Sequence, residues 1–190
     1  AVKDGLITQV GGKAGVAQRE LQAQGALVTP GWIDIHTHYD GQATWDPYLS
    51  PSTWHGVTTA IMGNCGMGFA PVQAERRDWL IKVMEGVEDI PGSVLHEGLQ
   101  WDWETFPEYL DALERRSFAL DIGAQIPHSA LRAYVMGERA FDGKVVATDD
   151  EVAAMEREML DALVGRPLHR VALAEVDRHA TKQRLIIFEV

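Results

Sequence analysis

Three short apolar runs, each followed by a segment with helical periodicity, constrain the fold of this chain more than any other feature. The runs cover residues 32–36, 57–62 and 118–126. The second run is β-branched and apolar on both faces, which is typical of a strand in a parallel sheet that is covered on both sides. Because strands and helices alternate along the chain, the pattern predicts an α/β fold built on a parallel sheet.

Four segments predict helices. Apolar side chains recur at helical spacing over residues 74–86, 105–116, 129–136 and 148–163. Thr148 and Glu151 form a capping-box pattern at the start of the last segment. Residues 89–103 show no such spacing, and we expect an irregular stretch there.

The composition excludes several kinds of partner. The net charge of the 190 residues is −11 and the sequence pI is about 5.0, so no basic surface attracts nucleic acid or an anionic membrane. The one cysteine cannot form an intrachain disulfide, and no apolar window approaches the ~18 residues of a membrane span. We therefore expect a cytoplasmic protein.

Since the first residues carry neither a signal-peptide pattern nor an initiator Met, we expect the chain to begin inside a longer reading frame.

Two histidines, His36 and His38, stand at the end of the first apolar run. Residues two apart in an extended chain point to the same face, so both imidazoles can reach one metal ion. Such a pair also occurs by chance on surface strands. The carboxyl end of a buried strand is, however, where barrel enzymes keep their sites, and this position favours metal binding.

Residues 30–42, PGWIDIHTHYDGQ, resemble the first barrel strand of the amidohydrolase superfamily, and Tyr39-Asp40-Gly41-Gln42 is similar to its N-acyl-D-amino-acid deacylase group. Six further segments resemble the same group: residues 56–59 (GVTT), 63–66 (GNCG), 84–91 (MEGVEDIP), 101–113, 127–132 (PHSALR) and 135–137 (VMG). The likeness covers about residues 1–164. It implies the first three to four strands of a (β/α)8 TIM-type barrel, so that the chain is an N-terminal fragment.

The resemblance divides the chain into three segments. Residues 1–30 are expected to supply short strands of a small β-sandwich, with turns at Asp4-Gly5 and Gly25. Residues 31–164 form the first part of the barrel. Residues 165–190 form a C-terminal tail that matches nothing in the family.

The resemblance also implies that His36, His38 and Cys65 are metal ligands. A thiolate with imidazoles selects a borderline-soft ion, for which Zn²⁺ is the first choice. The alternative role for Cys65 is that of a buried, small apolar side chain that only fills the core. The glycines around it, however, leave room for an ion. No catalytic residue is assigned, because the family's general-base aspartate and two further histidine ligands are expected beyond this chain.

Other polar residues near these strand ends are weaker candidates for the site. Asp34 shares a face with His36 and is expected to orient a ligand histidine, and Asp40 either does the same or holds a turn. His128 follows the third strand and either contacts substrate or bonds to the backbone. The acidic residues Glu85, Glu88 and Asp89 are interpreted as a solvated helix end.

The implied function is zinc-dependent hydrolysis of the linear amide bond of N-acyl-D-amino acids, with small-molecule substrates as the partners. One alternative is a cyclic amidohydrolase of the hydantoinase or dihydroorotase type, although those relatives usually carry a modified lysine rather than a cysteine loop. The other alternative is a truncated, non-catalytic remnant that binds metal.

Three or four parallel strands cannot close a barrel, and they leave two sheet edges open. We expect residues 57–62 and 118–126 to be poorly covered. Leaving roughly a few hundred Å² of apolar surface in water forfeits on the order of 5–10 kcal/mol, which is comparable to the stability of a whole domain. The 190-residue polypeptide alone should therefore self-associate or stay partly molten, and it should lack turnover. Light scattering and a thermal melt check this, and a cooperatively melting monomer with deacylase activity would contradict it.

Overall fold

A computed structural model describes residues 1–163 and 185–188 of the chain. In these residues the strands are β1 (Val2–Lys3), β2 (Leu6–Ile7), β3 (Leu27–Pro30), β4 (Trp32–Thr37), β5 (Val57–Met62), β6 (Asp121–Ala124) and β7 (Leu185–Phe188). The α-helices are α1 (Arg77–Glu88), α2 (Gly92–Gly98), α3 (Phe106–Glu114), α4 (His128–Met136) and α5 (Asp149–Leu163). Short 3-10 helices cover Gln42–Thr44, Ser52–His55, Ala74–Arg76 and Gly137–Phe141. None of the helices in the described residues is long and apolar enough to span a membrane.

The centre of the fold is a parallel sheet in the order β4-β5-β6. Thr37 pairs with Met62, and Met62 pairs with Ala124, so the carboxyl ends of all three strands lie at one edge of the sheet. The predicted parallel α/β arrangement is thus present. The third strand is shorter than the predicted residues 118–126, because the Ala119 N–H donates to the carbonyl of Pro47, in a loop, rather than to the sheet.

The helices largely follow the predicted segments. The predicted capping box at the start of α5 is formed, since Thr148 Oγ1 accepts from the Glu151 N–H at 3.3 Å and the Glu151 carboxylate accepts from the Thr148 N–H at 2.8 Å. Helix α3 begins with a second capping box, between Thr105 and Glu108. Helix α2 is a correction, because the sequence predicted an irregular stretch over residues 89–103. This helix has only seven residues and a glycine at each end, so its local propensity is low, and the fully buried Leu95 anchors it instead.

The N-terminal strands form two small antiparallel sheets. The hairpin predicted at Asp4-Gly5 is β1 paired with β2. A strand predicted just before Gly25 is not formed, and β3 pairs instead with the distant β7, Leu27 opposite Phe188. Local pattern gives no sign of such a partner. The β-sandwich and the three segment bounds stay predictions.

An aromatic cluster lies between α3 and the loops that follow β4 and β5. Trp103, Phe106 and Tyr109 are each 2% exposed. The Trp103 indole N–H donates to the carbonyl of Phe69 at 2.9 Å, and the Tyr109 hydroxyl donates to the carbonyl of Asp40 at 2.7 Å. These buried rings therefore both fill the core and fix the two loops.

The exposed apolar side chains of the sheet lie on β4 rather than where we expected them. Ile33 is 65% and Ile35 70% exposed, whereas residues of β5 are half-buried or buried, and Leu120 is 2% exposed. The expectation for residues 57–62 and 118–126 was wrong because side chains of both segments, among them Met62 and Leu120, lie in the hydrophobic core to which α1 and α3 also contribute. Strand β4 is an edge of this sheet as described.

Gly63 provides a stability test of the turn that follows β5. Its φ is +87°, and a Cβ there would overlap the backbone carbonyl of Gln125. Gly63→Ala should therefore lower the free energy of unfolding by about 1–3 kcal/mol or more, read as a lower urea midpoint by circular dichroism. The matched control is Gly86→Ala in α1, where a Cβ meets nothing within 4 Å. That change should raise stability by roughly 0.5–1 kcal/mol, and equal effects at both sites would contradict the assigned turn geometry.

Candidate metal centre

Three potential metal ligands converge at the carboxyl edge of the sheet. His36 and His38 come from the end of β4, and Cys65 comes from the loop after β5. One ligand atom of each lies within 4.8 Å of the others, and all three residues are exposed. The imidazole rings of His36 and His38 are nearly parallel, with centroids 5.6 Å apart. The Cys65 Sγ lies 4.0 Å from His38 Nδ1.

The loop that carries Cys65 is held against β4 on one side and against the start of α4 on the other. The Asn64 side-chain amide donates to the carbonyl of Ile35 on β4. The Ser129 N–H, at the start of α4, donates to the carbonyl of Gly66 at 2.7 Å. Because Gly63 and Gly66 both adopt positive φ, the chain can turn sharply on either side of the cysteine. The thiol is thereby directed from β5 toward the histidines.

Glu88 is a site residue that the sequence analysis missed. Its carboxylate lies 2.9 Å from His38 Nδ1, and its side chain is only 7% exposed. The interpretation of Glu88 as part of a solvated helix end was wrong, because its carboxylate is buried against the imidazole of His38, just after β4. The position of Glu88 in the sequence could have indicated its role. A helix C-terminus favours cations, so an acidic residue there suggests a nearby positively polarised partner.

Asp40 lies buried beneath the same strand end and is 4% exposed. Burial raises the pKa of its carboxyl from the ordinary 3.8 to about 7. A backbone hydrogen bond lowers this pKa, the charge of Glu88 raises it and that of His38 lowers it. Gly68 makes the position possible, because a Cβ on Gly68 would lie 2.8 Å from Asp40 Oδ1. Asp40 is therefore packed against the cysteine loop rather than solvated in a surface turn.

The other two predicted site residues lie near the cluster without joining it. The Asp34 carboxylate accepts from the backbone N–H of His36 at 3.2 Å, so it holds the strand rather than the imidazole. His128 is exposed at the start of α4, beside Gly66 of the cysteine loop. Neither residue belongs to the three-residue cluster found among the described residues. Their roles toward ligand or substrate stay predictions.

Comparison with known proteins assigns the chain to a family. The profile of the Amidohydrolase family matches residues 19–185. The chain belongs to the amidohydrolase family. The match runs past residue 164, and it covers most of the chain.

Curated relatives place the chain within a group of that family. A D-aminoacylase of Alcaligenes xylosoxydans xylosoxydans is 35% identical over 73% of this amidohydrolase chain and 26% of the relative. An uncharacterized protein of Mycobacterium tuberculosis is 34% identical over 85% of the chain and 27% of the relative. The predicted resemblance to the D-aminoacylase group is thus confirmed. The chain spans about a quarter of the length of these relatives.

A solved structure shares the fold. N-acyl-D-glutamate deacylase from Bordetella bronchiseptica, complexed with zinc and a phosphonate inhibitor, superposes with a TM-score of 0.57 at 26% identity. The match covers 84% of this chain and 30% of that one. A D-hydantoinase of Ralstonia pickettii is 54% identical, but over only 39 residues, which are 20% of this chain and 8% of that protein. The matches to the named deacylases thus cover far more of this chain than the match to the hydantoinase.

The three side chains fit a divalent ion by their chemistry and their spacing. A thiolate and two imidazoles are the donors that zinc takes in proteins. Ligand atoms on one tetrahedral zinc are about 3.3–3.8 Å apart, given bonds of 2.0–2.3 Å, and the separations here reach at most 4.8 Å. The exposed side chains of His36 and Cys65 leave room for the small approach that an ion would require.

Removal of Cys65 tests the cluster directly. Cys65→Ser should weaken zinc binding at least about 100-fold, more than the 10–100-fold typical of losing a residue that only supports a ligand. Competition with a chromophoric chelator measures this affinity. His55→Asn is the matched control, because His55 is exposed in the 3-10 helix Ser52–His55, outside the cluster. Equal affinities of the C65S variant and the control would remove Cys65 from the site.

Proposed function

We propose that this chain forms part of a metal-dependent hydrolase that cleaves the linear amide bond of N-acyl-D-amino acids. The observation that carries the proposal is the convergence of His36, His38 and Cys65 at the carboxyl edge of a parallel sheet. A chain of the D-aminoacylase group with this edge intact retains the part of the fold that holds an ion. The substrate class follows from the named activities of the relatives.

The resident ion of this site is proposed to be zinc. The soft thiolate of Cys65 disfavours Mg²⁺ and Ca²⁺, which take oxygen ligands. When bound, such an ion supplies a Lewis acid that polarises an acyl carbonyl and lowers the pKa of water. Deacylase neighbours of known structure contain zinc or copper, which supports a divalent metal in general.

The protein groups of this chain bind and orient rather than transfer protons. His36, His38 and Cys65 hold the ion, and the buried ring of Tyr109 fixes the loop after β4 through the Asp40 carbonyl. His128 stands beside the cysteine loop, at a place where it can meet a substrate. We assign no general base among the described residues and propose that it follows later in the enzyme.

The sheet is proposed to be the opening of a (β/α)8 barrel. Strands β4, β5 and β6 are parallel and adjacent in chain order, as the first strands of such a barrel are. The exposed Ile33 and Ile35 on the edge strand are the side chains that further barrel elements would cover.

A cyclic amide is the second candidate substrate. The short, strong match to a D-hydantoinase favours it, because that match covers 39 residues at 54% identity. A match of this length covers little beyond one strand and its flanks, so we rank the linear amide first.

Substrate and metal dependence are tested on the protein expressed from the complete reading frame. It should release free D-amino acid from N-acetyl-D-amino acids, prefer these over the L-enantiomers, and lose at least about 100-fold in rate with a chelator, since the ion carries the carbonyl activation. Added Zn²⁺ should restore the rate. A coupled D-amino acid oxidase assay measures the product.

Two results would contradict the proposal. Opening of a hydantoin ring without any deacylation would transfer the function to the cyclic amides. Deacylation that survives complete removal of metal would eliminate the metal centre as the catalytic device. The His55→Asn variant should lose activity with the chelator and regain it with Zn²⁺ as the wild type does, because His55 lies outside the cluster.

A further inference from the structure

Glu88 occupies an unusual position for an acidic residue. It is the last residue of α1, and Asp89 ends the helix with a φ of 53°. The carbonyl end of a helix carries partial negative charge, so a carboxylate there is disfavoured by roughly 0.3–1 kcal/mol. No basic residue stands in the last turn of α1 to offset this. The position therefore costs stability unless a nearby group compensates.

Burial adds to this cost. The Glu88 side chain is 7% exposed, and its Oε1 lies 2.9 Å from His38 Nδ1. A carboxylate that leaves water without a hydrogen-bond partner is strongly destabilised. The imidazole of His38 is the partner that the structure supplies. Glu85, one turn earlier, is exposed and accepts from the Gly92 N–H at 2.8 Å instead, so it caps α2 and does not contact the cluster.

We propose that Glu88 is a positioning residue for His38. Its carboxylate accepts the Nδ1–H of His38, which leaves Nε2 as the metal-binding nitrogen and holds the ring in one orientation. A carboxylate hydrogen-bonded to a ligand imidazole also makes that imidazole a better donor to the metal. The inference rests on the proposed function only in taking His38 as a metal ligand.

Direct ligation by Glu88 is the alternative that the geometry disfavours. Its carboxylate contacts His38, yet Glu88 does not belong to the group whose ligand atoms lie within 4.8 Å of one another. Among the described residues, Glu88 therefore meets the cluster through His38. This placement distinguishes support of a ligand from ligation.

Cobalt binding to the protein from the complete reading frame tests the proposal without any substrate. Co²⁺ affinity is measured by chelator competition, and the d–d and thiolate-to-cobalt absorption bands report the number and kind of ligands. Glu88→Ala should lower the affinity 10–100-fold with unchanged bands at saturation. Glu88→Gln keeps a neutral acceptor, and because such hydrogen bonds are about half as strong, it should lose roughly 3–10-fold.

Two controls bracket this experiment. Glu85→Gln removes the same charge from the same helix but away from His38, and its Co²⁺ affinity should equal that of the wild type. His38→Asn removes the ligand itself and should alter the d–d bands. Far-UV circular dichroism of each variant reports whether α1 is retained, so that the E88Q variant carries the test if E88A fails to fold.

Several outcomes would overturn the positioning role. One is a Co²⁺ affinity of E88A and E88Q that lies within about twofold of the wild type. Another is a loss of Co²⁺ affinity in the E85Q control that equals the loss in the Glu88 variants. A third is a change in the d–d bands of saturated E88A, which would make Glu88 a ligand. Unchanged bands in the H38N control would remove His38 from the ion and the inference with it. A protein that meets the cobalt expectations but deacylates nothing would overturn the proposed function and leave the role of Glu88 standing.

Discussion

The backbone hydrogen bonds between β4 and β5 bring Thr37 opposite Met62, and this pairing fixes where the two strands end. The Thr37 hydroxyl adds a bond to the carbonyl of Ile61 at 2.9 Å, which fastens the last residue of β4 to its neighbour. His36 and His38 flank Thr37, and Cys65 comes three residues after Met62. If the register slipped by one residue, the side chains of β4 would exchange faces and both imidazoles would leave the cysteine loop.

The groups behind the candidate metal centre are as specifically arranged as the three candidate ligands. Asp40 and Glu88 bring two acidic side chains to His38, one buried under the cysteine loop and one at the end of α1. The Tyr109 hydroxyl holds the backbone at Asp40 from the aromatic cluster. The core of this chain and its candidate site are thus one structure, because the rings that fill the interior also set the loops that carry polar groups.

The sheet divides into a covered part and an uncovered part. Strand β5 lies between β4 and β6, and its side chains are half-buried or buried. Strand β4 exposes Ile33 and Ile35 on the edge of the described sheet. The chain also spans about a quarter of the length of its curated relatives. Of the three strands in this sheet, β4 has the most exposed apolar side chains, and its end also supplies two of the three candidate ligands. In the proposed barrel, further elements would cover these side chains.

The sequence alone predicted what depends on local pattern and on motif. The strands at residues 32–36 and 57–62 follow from alternation, and the capping box of Thr148 and Glu151 follows from capping chemistry. The convergence of His36, His38 and Cys65 was implied by the resemblance to the deacylase group. Tertiary structure decided the rest. The pairing of β3 with β7 joins segments more than 150 residues apart, helix α2 depends on burial of Leu95, and Glu88 reaches His38 across 50 positions in sequence. No local pattern encodes these contacts, because each arises only when packing brings distant segments together and burial excludes water from the groups that meet.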